Sequence, residues 1–272
     1  MIKYDAKGAK DMLNENVKRN YEEWLEKVSD EELKKELESL SGDEEAINER
    51  FYCELEFGTG GLRGKLRAGT NGMNVNTVSR AAAGLAEYLT ETVKGEKSVS
   101  IAYDSRNKSR EFAFLSAEIF SAKGIKAYIF DELAPTPVLS FAVRYLKTSA
   151  GVVVTASHNP KEYNGYKVYN EKGCQITEEA ARAITEKIEN ASYFGKFYRE
   201  FKRGFFFGVG VRTRREVPVR IRLFGNDRQI FYAYSFQYFG NGFIPRAVER
   251  SIDDFRRGRS RTVKQREFFY FA

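Results

Sequence analysis

Histidine is nearly absent from this sequence: a single imidazole, His158, serves 272 residues. A Ser-His-Asp triad needs an imidazole that faces the serine and is oriented by a carboxylate, so the place of this one ring decides whether such chemistry is possible. Cysteine is scarce too. Cys53 and Cys174 stand far apart without metal-ligand spacing, which suits a reducing, cytosolic setting. No apolar run approaches the ~20 residues that cross a bilayer. The opening MIKYDAKGAK lacks the apolar stretch of a signal peptide. A cytoplasmic chain with no membrane partner is expected. Internal repeats are also missing. What is present is a hydrophobic fraction of 42%, ample for a packed core.

The net charge of +7 misleads until it is divided. Residues 1–196 carry 28 Lys and Arg against 31 Asp and Glu, and residues 197–272 carry 17 against 7. The positive excess therefore lies wholly in the last 76 residues and says nothing about partners of the rest. Composition switches at the same place. The first part holds 14 Leu and 8 Phe, the tail 1 Leu and 14 Phe. Clusters such as Phe205-Phe206-Phe207 and Phe255-Arg256-Arg257-Gly258-Arg259 show no sustained period of a helix or strand.

Before that switch the pattern is regular. Apolar residues between Asp11 and Val28 fall at helical spacing. Ser29-Asp30-Glu31-Glu32 is a capping signal for a short helix through Leu40, and Asp43 can cap another leading towards Phe51. FYCELEFGTGGLRGKLRAGTNGMN reads as a loop-rich, strand-bearing segment: its first part, FYCELEF, alternates like a strand, and six glycines follow from Gly58 to Gly72. Helices are predicted at 77–94, 109–124, from Pro135 to Leu146, and from Thr177 to Asn190. Strands are predicted at 98–104, 125–131 and 150–156, and a hairpin at 165–177. This alternation predicts an α/β fold: a mixed, mostly parallel sheet sandwiched by helices. Residues 1–195 read as one domain. Residues 196–272 read as an irregular Arg/Phe-rich basic tail of no recognised fold, disordered or out of frame.

In open α/β sheets, ligands sit beyond the carboxyl ends of strands. GVVVTASHNP places Ser157 there. It is not a hydrolase elbow, which reads Gly-x-Ser-x-Gly, and its imidazole is the next residue, whose side chain points away on an extended backbone. A serine that carries a phosphoryl group fits better. Such a group needs cations and backbone N–H donors. Arg63 within Gly60-Gly61-Leu62-Arg63-Gly64, Lys167 and His158 are the candidates, with glycines that let amides approach an anion. Asp104 and Arg106, at another strand end, read as a turn with a local ion pair. Cys53 and Cys174 read as inert.

TASHNP followed by NGYKVYN resembles the phosphoserine loop of the α-D-phosphohexomutases, and FGTGGLRG resembles that family's N-terminal arginine motif. ELEFGTGGLRGKLRAGTNGMNVNTVSRAAAGLAEYL is similar to the phosphoglucomutase/phosphopentomutase branch in particular. The resemblance spans roughly residues 10–195 and implies the family's first domain. It further implies an intramolecular phosphotransferase, an isomerase that moves a phosphoryl group between O1 and O6 of a hexose, or O1 and O5 of a pentose, through a bisphosphorylated sugar. By resemblance Ser157 is the phosphorylated serine and, through its phosphate, a ligand of Mg²⁺. Arg63 contacts that phosphate, His158 and Lys167 handle protons and transferred oxygens, and Asn159 and Gly61 touch substrate. Glucose 1,6-bisphosphate is the implied activator.

The tail departs from the family. No Asp-x-Asp-x-Asp metal loop occurs in the chain, and Val211-Arg212-Thr213-Arg214-Arg215-Glu216 lacks the residues of the family's phosphate loop. The tail is therefore expected to be a wrong reading frame, and the chain a truncated, inactive piece of a phosphosugar mutase. The alternatives are a noncatalytic phosphosugar- or partner-binding remnant, and a nucleic-acid binder acting through the basic tail, for which no specific motif is present.

Overall fold

The computed structural model describes residues 6–195, with side chains from residue 15, and the backbone of four tail strands. Three helices come first: α1 (Ala6–Lys27), α2 (Glu31–Ser39) and α3 (Glu44–Phe51). Val17, Tyr21, Trp24 and Val28 recur at helical spacing and are buried with Leu37 and Phe51 in one apolar cluster. Asp30 caps α2 by accepting from the amides of Glu32 and Leu33 at 3.0 and 2.9 Å, and Asp43 caps α3 through Ala46 N–H. Both caps follow from carboxylates satisfying orphan amides at a helix start.

The main domain follows as β1 (Gly61–Lys65), α4 (Val75–Thr92), β2 (Ser98–Tyr103), α5 (Ser109–Ala122), β3 (Lys126–Phe130), α6 (Thr136–Leu146), β4 (Ala150–Val154), β5 (Tyr163–Asn170) and α7 (Glu178–Asn190). The tail contributes β6 (Glu216–Val217), β7 (Ile221–Phe224), β8 (Phe231–Phe239) and β9 (Gly242–Arg250). The main sheet has the order β1-β5-β4-β2-β3-β7. Its centre, β4-β2-β3, is parallel. The pairs β4–β5, β1–β5 and β3–β7 are antiparallel. Strands β6, β8 and β9 form a separate antiparallel ladder. The clusters at 205–207 and 255–259 lie outside the described residues.

The central strands are buried on both faces, which is why AGVVV reads as a continuous apolar run. Val152, Val154, Ile101 and Val99 face α4, α5 and α7. Val153 and Ala102 face α6 with Leu139 and Val143. One helix covers the second face and three the first. Gly84 of α4 lets α7 close in, since a Cβ there would stand 2.6 Å from an Ile188 side-chain carbon.

Three local expectations are corrected. FYCELEF is not a strand: residues 52–57 run beside the 66–73 loop with one amide bond, Leu55 N–H to Thr70 C=O, and pair with no strand. The hairpin at 165–177 is a single strand with a short turn, closed by one bridge between Tyr169 and Gln175, because β4 takes one edge of β5 and β1 takes the other as far as Lys167, which leaves only the end of the strand free. Helix α4 starts two residues earlier than predicted, where Asn74 and Thr77 form a reciprocal capping box.

The chain leaves the domain under a clamp. Arg80 donates to the carbonyls of Ala191 and Glu189, pairs with Glu54 at 2.6 Å, and lies 4.3 Å from the centre of the Tyr193 ring. Trp24 packs against Tyr193 and Phe194. Because Trp24 is the only tryptophan, its emission reports this contact. Phe194→Ala is expected to shift that emission to the red and to cost about 1–2 kcal/mol in a urea melt.

Gly61 has φ +138°, and a Cβ there would run into the Tyr166 carbonyl and stand 2.9 Å from Lys167 Cα. Gly95, at φ +85°, faces open space. Gly61→Ala is expected to cost about 2–4 kcal/mol, and Gly95→Ala only about 1 kcal/mol, in the same denaturant assay.

Candidate functional site

The site forms where β2 and β4 end side by side. Asp104 N–H donates to the carbonyl of Val154 at 3.2 Å, so the loops after the two strands start next to each other. Beyond β4, the Ser157 amide donates to Thr155 Oγ1 at 2.9 Å, and Ser157 adopts φ +55°. That left-handed conformation is uncommon for a residue with a Cβ and marks a constrained turn. The Ser157 and His158 side chains are exposed.

Strand β5 returns antiparallel to β4 and brings a cation to the serine. Lys167 Nζ donates to Ser157 Oγ at 2.9 Å. On the other side of β5, Gly61 pairs with Lys167 and Arg63 pairs with Gly165. Side chains alternate along strands and directly opposed residues share a face. Arg63 and Lys167 therefore lie on one face of the sheet, diagonal to each other. Leu62 and Tyr166 take the opposite, buried face.

The residues expected from sequence thus fall into two groups. Ser157 and Lys167 are in direct contact, and Gly61 lies across the ladder from Lys167. His158 is exposed directly after the serine. Asn159 is half-buried and serves the loop through its backbone, its amide donating to the Ala156 carbonyl at 3.1 Å. Arg63 is exposed on the shared face.

Two further residues build the site and were not assigned to it from sequence. Arg106 does form the local ion pair expected of it, with Nε 3.5 Å from Asp104 Oδ2. Its terminal nitrogens go further. One donates to the carbonyls of Ser157 and Asn159, both at 2.6 Å, and the other to those of Pro160 and Tyr163, at 2.8 and 3.1 Å. Asn164, fully buried, donates to the Asn107 carbonyl and to Ser109 Oγ, and its Oδ1 accepts from Gly165 N–H. Asn164 opens the NGYKVYN motif but had no role assigned to it there, and an amide residue inside a strand, where such residues are depleted, was a second signal. Arg106 carried only its place at a strand end next to the serine's strand.

A hydroxyl facing an ammonium cannot be deprotonated by it as by an imidazole. It is instead placed where negative charge on, or bonded to, Oγ would be stabilised. Among the described residues, no three His, Cys, Asp or Glu side chains gather to hold a metal ion. A Mg²⁺ ion takes octahedral oxygen ligands, and here Ser157 Oγ stands beside a lysine. The described residues alone do not make a Mg²⁺ cage.

Known proteins resemble this chain over the same segment. Residues 54–194 match the family model for phosphoglucomutase/phosphomannomutase, alpha/beta/alpha domain I. A phosphoglucomutase of Staphylococcus haemolyticus (strain JCSC1435) is 47% identical over 140 residues, covering 52% of this chain and 25% of that protein. A Schizosaccharomyces pombe protein named as a probable phosphoribomutase is 43% identical over 172 residues, covering 62% of this chain and 29% of its own length. A solved phosphomannomutase-type chain from Thermus thermophilus has a TM-score of 0.48 and 33% identity, covering 52% of this chain and 31% of that one. The chain spans between a quarter and a third of the length of these relatives. Since the matched segment, with both the Arg63 and the Ser157 motifs inside it, makes up more than half of the 272 residues, the chain belongs to the phosphoglucomutase/phosphomannomutase family and carries its α/β/α domain I.

Proposed function

We propose that this chain is the phosphoserine-bearing domain of a phosphosugar mutase, with Ser157 as the residue that carries the exchanged phosphoryl group. The observation that carries this reading is the contact between Lys167 Nζ and Ser157 Oγ at 2.9 Å. In the donating half-reaction the P–Oγ bond breaks and a P–O bond forms to a hydroxyl of a sugar phosphate. The bonding electron pair stays on Oγ, where the Lys167 ammonium stabilises it. The proton of the sugar hydroxyl leaves to a base, for which His158 is the nearest candidate in sequence. The reverse transfer, from the other phosphate of the bisphosphorylated sugar, restores the phosphoserine and releases the isomer. Catalysis of this kind is mostly placement of cations around the transferring group. Arg63 supplies a second cation on the Lys167 face, and Asn159 and Gly61 are the positions assigned to substrate.

The phosphate on Ser157 would provide one ligand to Mg²⁺, whose role is to neutralise charge on the transferring group. The remaining ligands are expected from outside the described residues, in agreement with the missing Asp-x-Asp-x-Asp loop. Glucose 1,6-bisphosphate is the proposed priming donor, and a hexose or pentose phosphate the substrate. The relatives named for glucose, ribose and mannose phosphates leave the sugar open. The setting proposed is the cytosol, supported by two free cysteines; no described helix is long and apolar enough to cross a membrane. The boundary proposed for the domain is residue 195, supported by the clamp on residues 189–194. For residues 196–272, an out-of-frame origin is supported by the change in composition.

Two measurements test the reading. After incubation with glucose 1,6-bisphosphate and Mg²⁺, the tryptic peptide containing Ser157 is expected to gain one phosphoryl group, and Ser157→Ala to gain none. Glucose 1-phosphate turnover by the 272-residue chain is expected to be at most a trace. Phosphate found elsewhere, or on no residue at all, would refute the phosphoserine assignment. Turnover at the rate of an intact mutase would refute the view that the chain lacks essential parts.

A further inference from the structure

We infer that Arg106 is a positioning residue, which holds the backbone of the serine loop from beneath and thereby sets the Ser157 hydroxyl against Lys167. As a role in phosphoryl transfer this rests on the Ser157 reading above; as a statement about the loop it stands on geometry alone.

Arg106 carries five N–H donors in a rigid plane. Four are spent on one loop: Nη2 on the carbonyls of Ser157 and Asn159, Nη1 on those of Pro160 and Tyr163. The fifth, on Nε, faces Asp104, which is fixed in turn. Asp104 Oδ1 accepts from the Arg106 amide at 3.0 Å and from Ser109 Oγ at 2.7 Å. Ser109 also accepts from Asn164, which belongs to the strand that carries Lys167. One polar network therefore joins the loop after β2, the serine loop after β4, and β5. The Arg106 side chain is only 15% exposed, so its charge is poorly solvated and its bonds to carbonyls are correspondingly strong.

The loop needs such a hold. Ser157 sits at φ +55°, a conformation that persists only when its surroundings over-determine it. Its own carbonyl is one of the four that Arg106 grips, so the grip acts on the strained residue itself. Carbonyl and N–H point in opposite directions across a trans peptide. Turning the Ser157 carbonyl inward therefore turns the His158 amide away from Arg106, on the outer side of the loop. Lysine cannot replace this arrangement, because three donors at one point do not match four carbonyls spread over seven residues.

The test uses the 272-residue chain with Arg106→Gln, Arg106→Lys and Asp104→Asn. Hydrogen exchange is followed in peptides covering residues 155–163 and, as the internal reference, in β2 and β4. Lys167 is followed by the NMR signal of its ε-carbon. Arg106→Gln is expected to speed exchange in the loop about tenfold or more, to open Lys161 to trypsin, and to move the Lys167 signal to that of a solvated lysine. Protection in β2 and β4 is expected to hold. Arg106→Lys is expected to restore little of the loop's protection, and Asp104→Asn to give a smaller change of the same kind. If Arg106→Gln does not fold, the other two variants carry the test. The inference is overturned if loop exchange and the Lys167 signal match the parent, or if loop and strands lose protection together, which would make Arg106 a general stability residue. None of these readouts requires phosphate. A parent chain that never takes phosphate on Ser157 refutes the proposed function and leaves this result standing. Where phosphate is taken, Arg106→Gln is expected to lower its rate of uptake at saturating donor, with little change in the donor concentration that half-saturates.

Discussion

Strand β5 lies between two antiparallel neighbours, and the site depends on how tightly the three backbones pack. At Gly61 the β1 backbone comes so near the Tyr166 carbonyl that no Cβ fits. At Gly165 a Cβ would stand 2.7 Å from the Thr155 carbonyl. These two contacts fix β5 laterally at the level of the serine loop. They fix Lys167 as well, since it pairs with Gly61 on one side and with Val153 on the other. A lysine has four rotatable bonds, and its reach to Ser157 Oγ is specific only because its Cα is held this way.

The sheet acts as a rigid base for a loop that is not at its own minimum. Buried apolar side chains on both faces lock β2 and β4 in register. The serine loop leaves that base with a left-handed residue and a proline, and finds its partners in a guanidinium from the adjacent strand end. The same logic appears at the far side of the domain, where Arg80 spends its donors on the carbonyls of the segment that leaves α7. In both places one arginine satisfies backbone carbonyls that no ladder or helix takes up.

Much of the fold was legible along the chain. Apolar spacing in α1, the capping signals at residues 29–32 and at Asp43, the Pro-marked start of α6, and the strand–helix alternation from Thr77 onward all act over a few residues. Local sequence carries them. Apart from the start of α4, the misreadings were about partners. FYCELEF has a strand's alternation and no neighbour to pair with, and the 165–177 segment has a hairpin's turn but a first strand whose edges β4 and, as far as Lys167, β1 have taken. The tail segment Ile221–Phe224 adds to the β3 edge without any pattern that announced it. Pairing is a property of distant segments, so no window of sequence displays it.

The residue types at the site are written in the chain: a serine past a buried strand, a lone histidine unable to face it, an arginine among glycines, and a lysine ten residues on. The family is written there as well, because those motifs occur together and in order. Which of these residues meet was settled by the folded sheet. Lys167 reaches the serine because β5 folds back along β4, and Arg63 joins that face because β1 pairs outside β5. Arg106 changes from one half of a surface ion pair into the support of the loop because β2 and β4, about fifty residues apart in sequence, are neighbours in the sheet. Its hydrogen bonds go to backbone carbonyls, which every residue has. Side-chain chemistry along the chain therefore gave no sign of them, and they exist only once the strands are in place.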